Sequence, residues 1–137
     1  MLKKTIKYED FNGVEREEDF YFNLTEAELI EMELSKDGGI DEYAKRISKE
    51  MNGPKLVELF KQLILKAYGV KSDDGKNFRK SPEIIADFVS TNAYSVLFTE
   101  LSSNSEEAAK FFTGIIPKDK AKIAEEEMKK HPELFNK

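Results

Sequence analysis

The chain has 137 residues, of which 39% are hydrophobic, 11% aromatic and 36% charged, with a net charge of −5. That length supports one domain with a genuine core and leaves no room for two comfortable ones. The composition excludes a disordered chain and a strongly basic nucleic-acid binder, and the lack of Cys excludes a disulfide framework, a thiolate nucleophile and a Cys-based metal site.

From Thr5 onward the pattern predicts a β-hairpin feeding directly into a capped helix. Asn12-Gly13 is the turn signal, because that pair accepts the left-handed backbone a tight hairpin needs. A three-residue loop, Phe11-Asn12-Gly13, opposes Asp10 to Val14. Leu2, Ile6, Tyr8, Val14, Phe20 and Phe22 then share one face; Tyr21 points away from it, and so does Phe11 unless the loop folds it back. Thr25 and Glu28 form a capping box for a helix over Thr25–Leu34, and Leu24 with Leu29 makes the hydrophobic staple. Lys36-Asp37-Gly38-Gly39 ends that helix.

Ile40, Tyr43, Ala44, Ile47 and Met51 mark a second helix. Pro54 opens a third, whose stripe of Leu56, Leu59, Phe60, Leu63, Ile64, Ala67 and Tyr68 predicts the central core helix, ending at Gly69. Val70–Lys80 is either a second small hairpin or an ordered loop around Asp74-Gly75. Ser81-Pro82-Glu83 opens the longest helix, with Ile85, Phe88, Val89, Asn92, Ala93, Val96, Leu97 and Leu101 along its apolar side. Ser103 and Glu106 read as another capping box, for a helix that carries Phe111 and Phe112 and stops at Gly114. The expected fold class is α+β: an N-terminal β-hairpin followed by a mainly α-helical domain of about five helices. The globular domain spans 1–116, and 117–137 form a charged, weakly anchored tail.

The negative charge is concentrated early. Residues 1–35 hold four Lys/Arg against ten Asp/Glu, so an electrostatic partner surface belongs to the N-terminal part. No apolar run approaches the roughly 20 residues of a membrane helix. The N-terminus, MLKKTIKYED, lacks the apolar core of a signal peptide, which predicts a cytoplasmic protein and no membrane partner.

Candidate chemistry is sparse. His131 is the sole histidine and lies in the polar tail before Pro132, where a general base has neither shelter nor an orienting partner. The acidic run Glu15–Asp19 alternates between strand faces, so its carboxylates cannot converge on one cation, and Lys7 offers Glu17 a cross-strand charge pair. Asp73-Asp74-Gly75 and Asp37-Gly38-Gly39 lack the spacing of a calcium loop and read as turns. No phosphate loop, nucleophile elbow or metalloprotease motif is present. No catalytic, cofactor-binding or metal-binding residue is assigned, and no cofactor is expected. A protein interface is the remaining reading for Phe11 and Tyr21, against burial under a second layer.

One ordered set of residues carries a resemblance. It comprises Thr5-Ile6, Tyr8, Phe11-Asn12-Gly13, Glu15, Glu18-Asp19-Phe20-Tyr21-Phe22-Asn23-Leu24 and Ala27-Glu28-Leu29. It continues with Tyr68 to Ser72, Asp74-Gly75, Phe78, Lys80-Ser81, Ala93-Tyr94, Leu97-Phe98, Glu100-Leu101, Gly114-Ile115 and Pro117. Over about residues 4–117 this resembles the tail assembly chaperones encoded in siphophages and prophages of Gram-positive bacteria; the tail does not carry the resemblance. The resemblance implies a non-enzymatic factor that binds the phage tape measure protein, assists tail-tube assembly with major tail protein, and is absent from the mature virion. It implies no nucleic-acid partner, and it leaves homo-oligomerisation open. The alternatives are a structural virion protein of the tail or head–tail joint, or a small phage protein that binds a host target.

Overall fold

The turn sets the hairpin. Asp10 N–H donates to Val14 O at 2.8 Å and Gly13 N–H to Asp10 O at 3.0 Å, with Gly13 at φ +80°. Glycine adopts that left-handed backbone at little cost, so the loop closes on the three expected residues. The structure, a computed structural model, describes residues 1–31 and 53–117. In it β1 (Leu2–Glu9) pairs antiparallel with β2 (Glu15–Phe22), Leu2 opposite Phe22 and Glu9 opposite Glu15. Even positions turn inward: Ile6 and Phe22 are buried, and Leu2, Tyr8 and Phe20 are half-buried against the core. Val14, expected on that face, is 55% exposed. The helical layer reaches only to Glu9, whose carbonyl accepts from the Asn92 amide at 2.8 Å, and Val14 lies beyond it.

α1 (Glu26–Glu31) starts as its sequence dictates. Glu28 N–H donates to Thr25 Oγ1 at 3.1 Å, Thr25 N–H donates to Glu28 Oε1 at 3.0 Å, and Leu24 and Leu29 are both buried. After residue 52 come α2 (Gly53–Ala67), β3 (Tyr68–Lys71), β4 (Phe78–Arg79), α3 (Pro82–Val89), α4 (Asn92–Ser103) and α5 (Ser105–Ile115). The strands form one antiparallel sheet in the order β1-β2-β3-β4. The α+β class therefore stands, a hairpin followed by five helices among the described residues. The expected helix over Ile40–Met51, the end of the Thr25–Leu34 helix with its glycine stop, and the tail lie outside the described residues.

Four expectations are corrected. Gly69 is not a helix stop, because α2 runs straight into β3 and Gly69 pairs with Tyr21 in the sheet. Its lack of a side chain serves packing: a Cβ there would stand 2.7 Å from the Phe78 ring and 2.9 Å from Arg79 O. The longest predicted helix is two helices, broken at Ser90-Thr91. Thr91 Oγ1 donates to Phe88 O at 2.7 Å and Ser90 Oγ to Asp87 O at 2.9 Å, so side chains occupy carbonyls that a continuing helix would use. The break resets the phase. Ala93, Leu97 and Leu101 are buried, whereas Val89 and Val96 are exposed.

The box at Ser103 and Glu106 is displaced by one residue. Asn104 is the cap, its side chain accepting from Glu107 N–H at 3.1 Å, while Ser103 Oγ donates back to Thr99 O at 2.7 Å. Gly114 does not end α5, which continues to Ile115. Ile115 and Ile116 are buried, and a Cβ on Gly114 would meet Leu2 Cδ1 at 3.0 Å.

The core gathers between the sheet and these helices around Phe22 and Phe88. Phe22 contacts Phe111, Tyr68 and Phe88 with ring centroids 5.2, 5.7 and 5.8 Å away, and Tyr68 stacks on Phe88 at 4.2 Å. Each such pair adds roughly 0.5–1.5 kcal/mol beyond area burial. The exit of β2 is pinned at two helix ends: Asn23 N–H donates to Ala67 O at 2.8 Å and Leu24 N–H to Ile115 O at 2.6 Å. Those carbonyls would otherwise be orphaned at the helix termini.

Candidate interaction surface

The alternation that buries the even positions leaves the odd positions of the hairpin on an open face. Lys3, Thr5, Lys7, Glu9, Glu15, Glu17 and Asp19 are all exposed there. Thr5 Oγ1 donates to Asp19 Oδ1 at 2.6 Å, and the expected pair of Lys7 with Glu17 forms at 3.6 Å. The next rung toward the tip opposes Glu9 to Glu15. Like charges directly opposed across strands repel, and neither carboxylate meets a cation among the described residues.

The tip is rigidly built. The Asp10 carboxylate accepts from Asn12 N–H and Val14 N–H, each at 2.9 Å, and from Arg16 Nε at 2.7 Å. The Arg16 bond above all, then the Val14 N–H, hold the Asp10 carboxyl below its ordinary pKa. Glu18 lies on the inner side, accepting from the Tyr8 hydroxyl and lying 3.5 Å from Arg16. That bond is the main reason the Tyr8 phenol titrates above its usual value. A polar network thus occupies the inner face beyond Ile6, and the tip carries Phe11 at 78% exposure beside Val14.

The two aromatics singled out in the sequence part company. Phe11 stands in solvent, as its position outside the buried face predicts. Tyr21 is half-buried, opposite Gly69, with Lys71 Nζ 5.6 Å from its ring centre. β2 and β3 pair only at Tyr21–Gly69 and Phe22–Tyr68 and then diverge. The divergence opens a shallow cleft of about 340 Å³ lined by Phe20, Tyr21, Tyr68, Val70 and Lys71 among others. At the other end of the hairpin Lys4, an inward position, reaches Glu100 at 2.7 Å and Glu107 at 3.7 Å and ties β1 to α4 and α5.

Residues 70–80 form the small hairpin rather than a loop, with Val70 opposite Arg79 and Lys71 opposite Phe78. Asp74 belongs to its turn: the carboxylate accepts from Lys76 N–H at 3.0 Å and from Ser72 Oγ at 2.7 Å, and both bonds hold its pKa down. Among the described residues no three His, Cys, Asp or Glu side chains are grouped to hold a metal, and no helix is long and apolar enough to cross a membrane. His131 and Asp37 lie outside the described residues.

Sequence reasoning missed Asp10 as the lock of the tip, although an Asp opening a turn before Asn-Gly is a usable signal.

No curated protein and no solved structure matches the chain. The family model for phage tail assembly chaperones does, over residues 1–136, which includes the tail that the sequence resemblance left out. With an acidic outer hairpin face, a fixed aromatic tip and almost the whole length matched, this chain belongs to the phage tail assembly chaperone family.

Proposed function

We propose that the protein acts without catalysis, in the cytoplasm of the bacterial host, by binding the phage tape measure protein and keeping it soluble while major tail protein assembles around it. Family membership over residues 1–136 is the observation that carries this reading. The hairpin tip supports it: a binder of long amphipathic chains needs exposed apolar groups with a polar rim, and Phe11 and Val14 are exposed in the loop that the exposed Glu9 and Glu15 bracket in the chain. The same acidic rim repels phosphate backbones, which agrees with a partner other than nucleic acid.

Co-expression with the tape measure protein encoded alongside it tests the reading. Soluble yield of that protein should rise, and the two should co-elute on size exclusion. Equal aggregation with and without the partner, and no complex, rejects it. Stoichiometric presence in purified particles would make the chain a virion component instead.

A further inference from the structure

Phe11 contributes nothing to the core, yet three hydrogen bonds to Asp10 and the left-handed Gly13 fix the loop that displays it. An aromatic side chain held in water on a loop of set conformation loses little further freedom on docking, which favours affinity. Aromatics in such settings are common anchors of protein interfaces.

We propose that the β1–β2 tip is the element that seizes the partner. Phe11 and Val14 enter an apolar notch on an amphipathic helical segment, and Lys or Arg beside that notch settle between Glu9 and Glu15. The charge pattern selects this occupant. Glu9 and Glu15 face each other on one rung with no described cation, so a basic group from outside relieves a repulsion already present in the free protein. Farther from the tip Glu17 already has Lys7, and Glu18 is engaged by Tyr8 and Arg16. The available acidic charge therefore flanks the apolar tip.

This inference rests on the tape measure protein being the partner, and the experiment separates the two claims. The full-length chain, its Phe11→Ala variant and its Glu9→Gln/Glu15→Gln double variant are each titrated against the tape measure protein held soluble by co-expression and purification. Their melting temperatures and their own self-association are recorded in parallel. Phe11→Ala should weaken binding roughly thirtyfold, as loss of a central aromatic anchor does. The double variant should lose about three- to tenfold at low salt, with the difference vanishing near roughly 0.5 M salt. Both variants should melt no lower than the parent, because neither site is buried.

Unchanged binding by Phe11→Ala, with wild-type binding intact, overturns the tip proposal and leaves the chaperone reading standing. A wild-type chain that does not bind rejects that reading and this one with it. A Phe11→Ala variant altered only in self-association makes the tip a contact between copies and also overturns the proposal.

Discussion

Lys80 and Glu28 meet at 2.6 Å across 52 residues of chain. The same ammonium donates to Asn23 O at 2.8 Å and to Lys66 O at 2.6 Å, so all three of its protons are placed. One side chain thus joins the exit of β2, the first turn of α1 and the last turn of α2. Glu28 is already half of a capping box, and its second oxygen takes the lysine.

Lys80→Met should keep much of the apolar stem and remove the three bonds. Two carbonyls and a half-buried carboxylate lose their donor, which predicts a loss of about 1–3 kcal/mol, read from the urea midpoint. A change below about 0.5 kcal/mol would show that water replaces the ammonium without cost.

The pair also predicts a pH dependence. Burial presses the Glu28 carboxyl upward, but the Lys80 bond and the Thr25 N–H outweigh it, and the pKa lies below its ordinary 4.5. The unfolded chain therefore takes up the proton first. The stabilisation is present above pH 4.5 and is lost as pH falls through the lower folded value. Urea midpoints measured between neutral and acidic pH should fall less steeply for Glu28→Gln than for the parent, and parallel curves would refute the assignment.

Phe22 and Phe20 neighbour each other in the aromatic cluster but differ in burial. Phe22 is fully buried, so Phe22→Ala should cost about 3–5 kcal/mol. Phe20 is half-buried beside Phe88 at 5.3 Å, and Phe20→Ala should cost less, about 1–3 kcal/mol. Chemical denaturation of both variants checks the order; the reverse order would put Phe20 rather than Phe22 at the centre of the aromatic cluster.

Two glycines should respond oppositely to alanine. At Gly69 the new methyl meets a ring at 2.7 Å and a backbone carbonyl at 2.9 Å, and the expected cost is about 1–3 kcal/mol. At Gly114 it meets the flexible Leu2 side chain at 3.0 Å, while alanine favours the helix by roughly 1 kcal/mol. Gly114→Ala should melt at or above the parent temperature and Gly69→Ala clearly below it.

The tail carries only Ala121, Ile123, Ala124, Met128, Leu134 and Phe135 as apolar residues. Truncation after Lys118 should shift the melting temperature by less than about 3 °C, a change under about 1 kcal/mol. A drop of about 10 °C or more would extend the folded domain into the tail.

What the sequence revealed was local. The Asn12-Gly13 turn, the Thr25 box, the Ser81 cap and the parity of the hairpin each depend on residues within a few positions, and all four are present. The Ser90-Thr91 break was illegible because the apolar stripe runs through it unbroken, and serine and threonine are tolerated inside helices. Gly69 was misread for a related reason: a glycine after a helix signals a stop, and only Phe78, brought back by the second hairpin, reveals its packing role. Lys4 and Lys80 look like ordinary surface lysines until the fold brings Glu100 and Glu28 to them. On the candidate surface the sequence marked Phe11 and the acidic strand, but Glu9 opposite Glu15 emerges only when the register is fixed.

The two faces of the β1–β2 hairpin are under separate constraints. Ile6, Phe20 and Phe22 answer to the helices, whereas among the described residues Lys3, Lys7, Glu15 and Glu17 answer to nothing beyond one exposed ion pair. Surface substitutions of that kind usually change stability by less than about 0.5 kcal/mol. The outward residues can therefore be rewritten without disturbing the scaffold. A lineage whose partner changes sequence can follow it by replacing side chains on a single strand face, with the fold carried along unaltered.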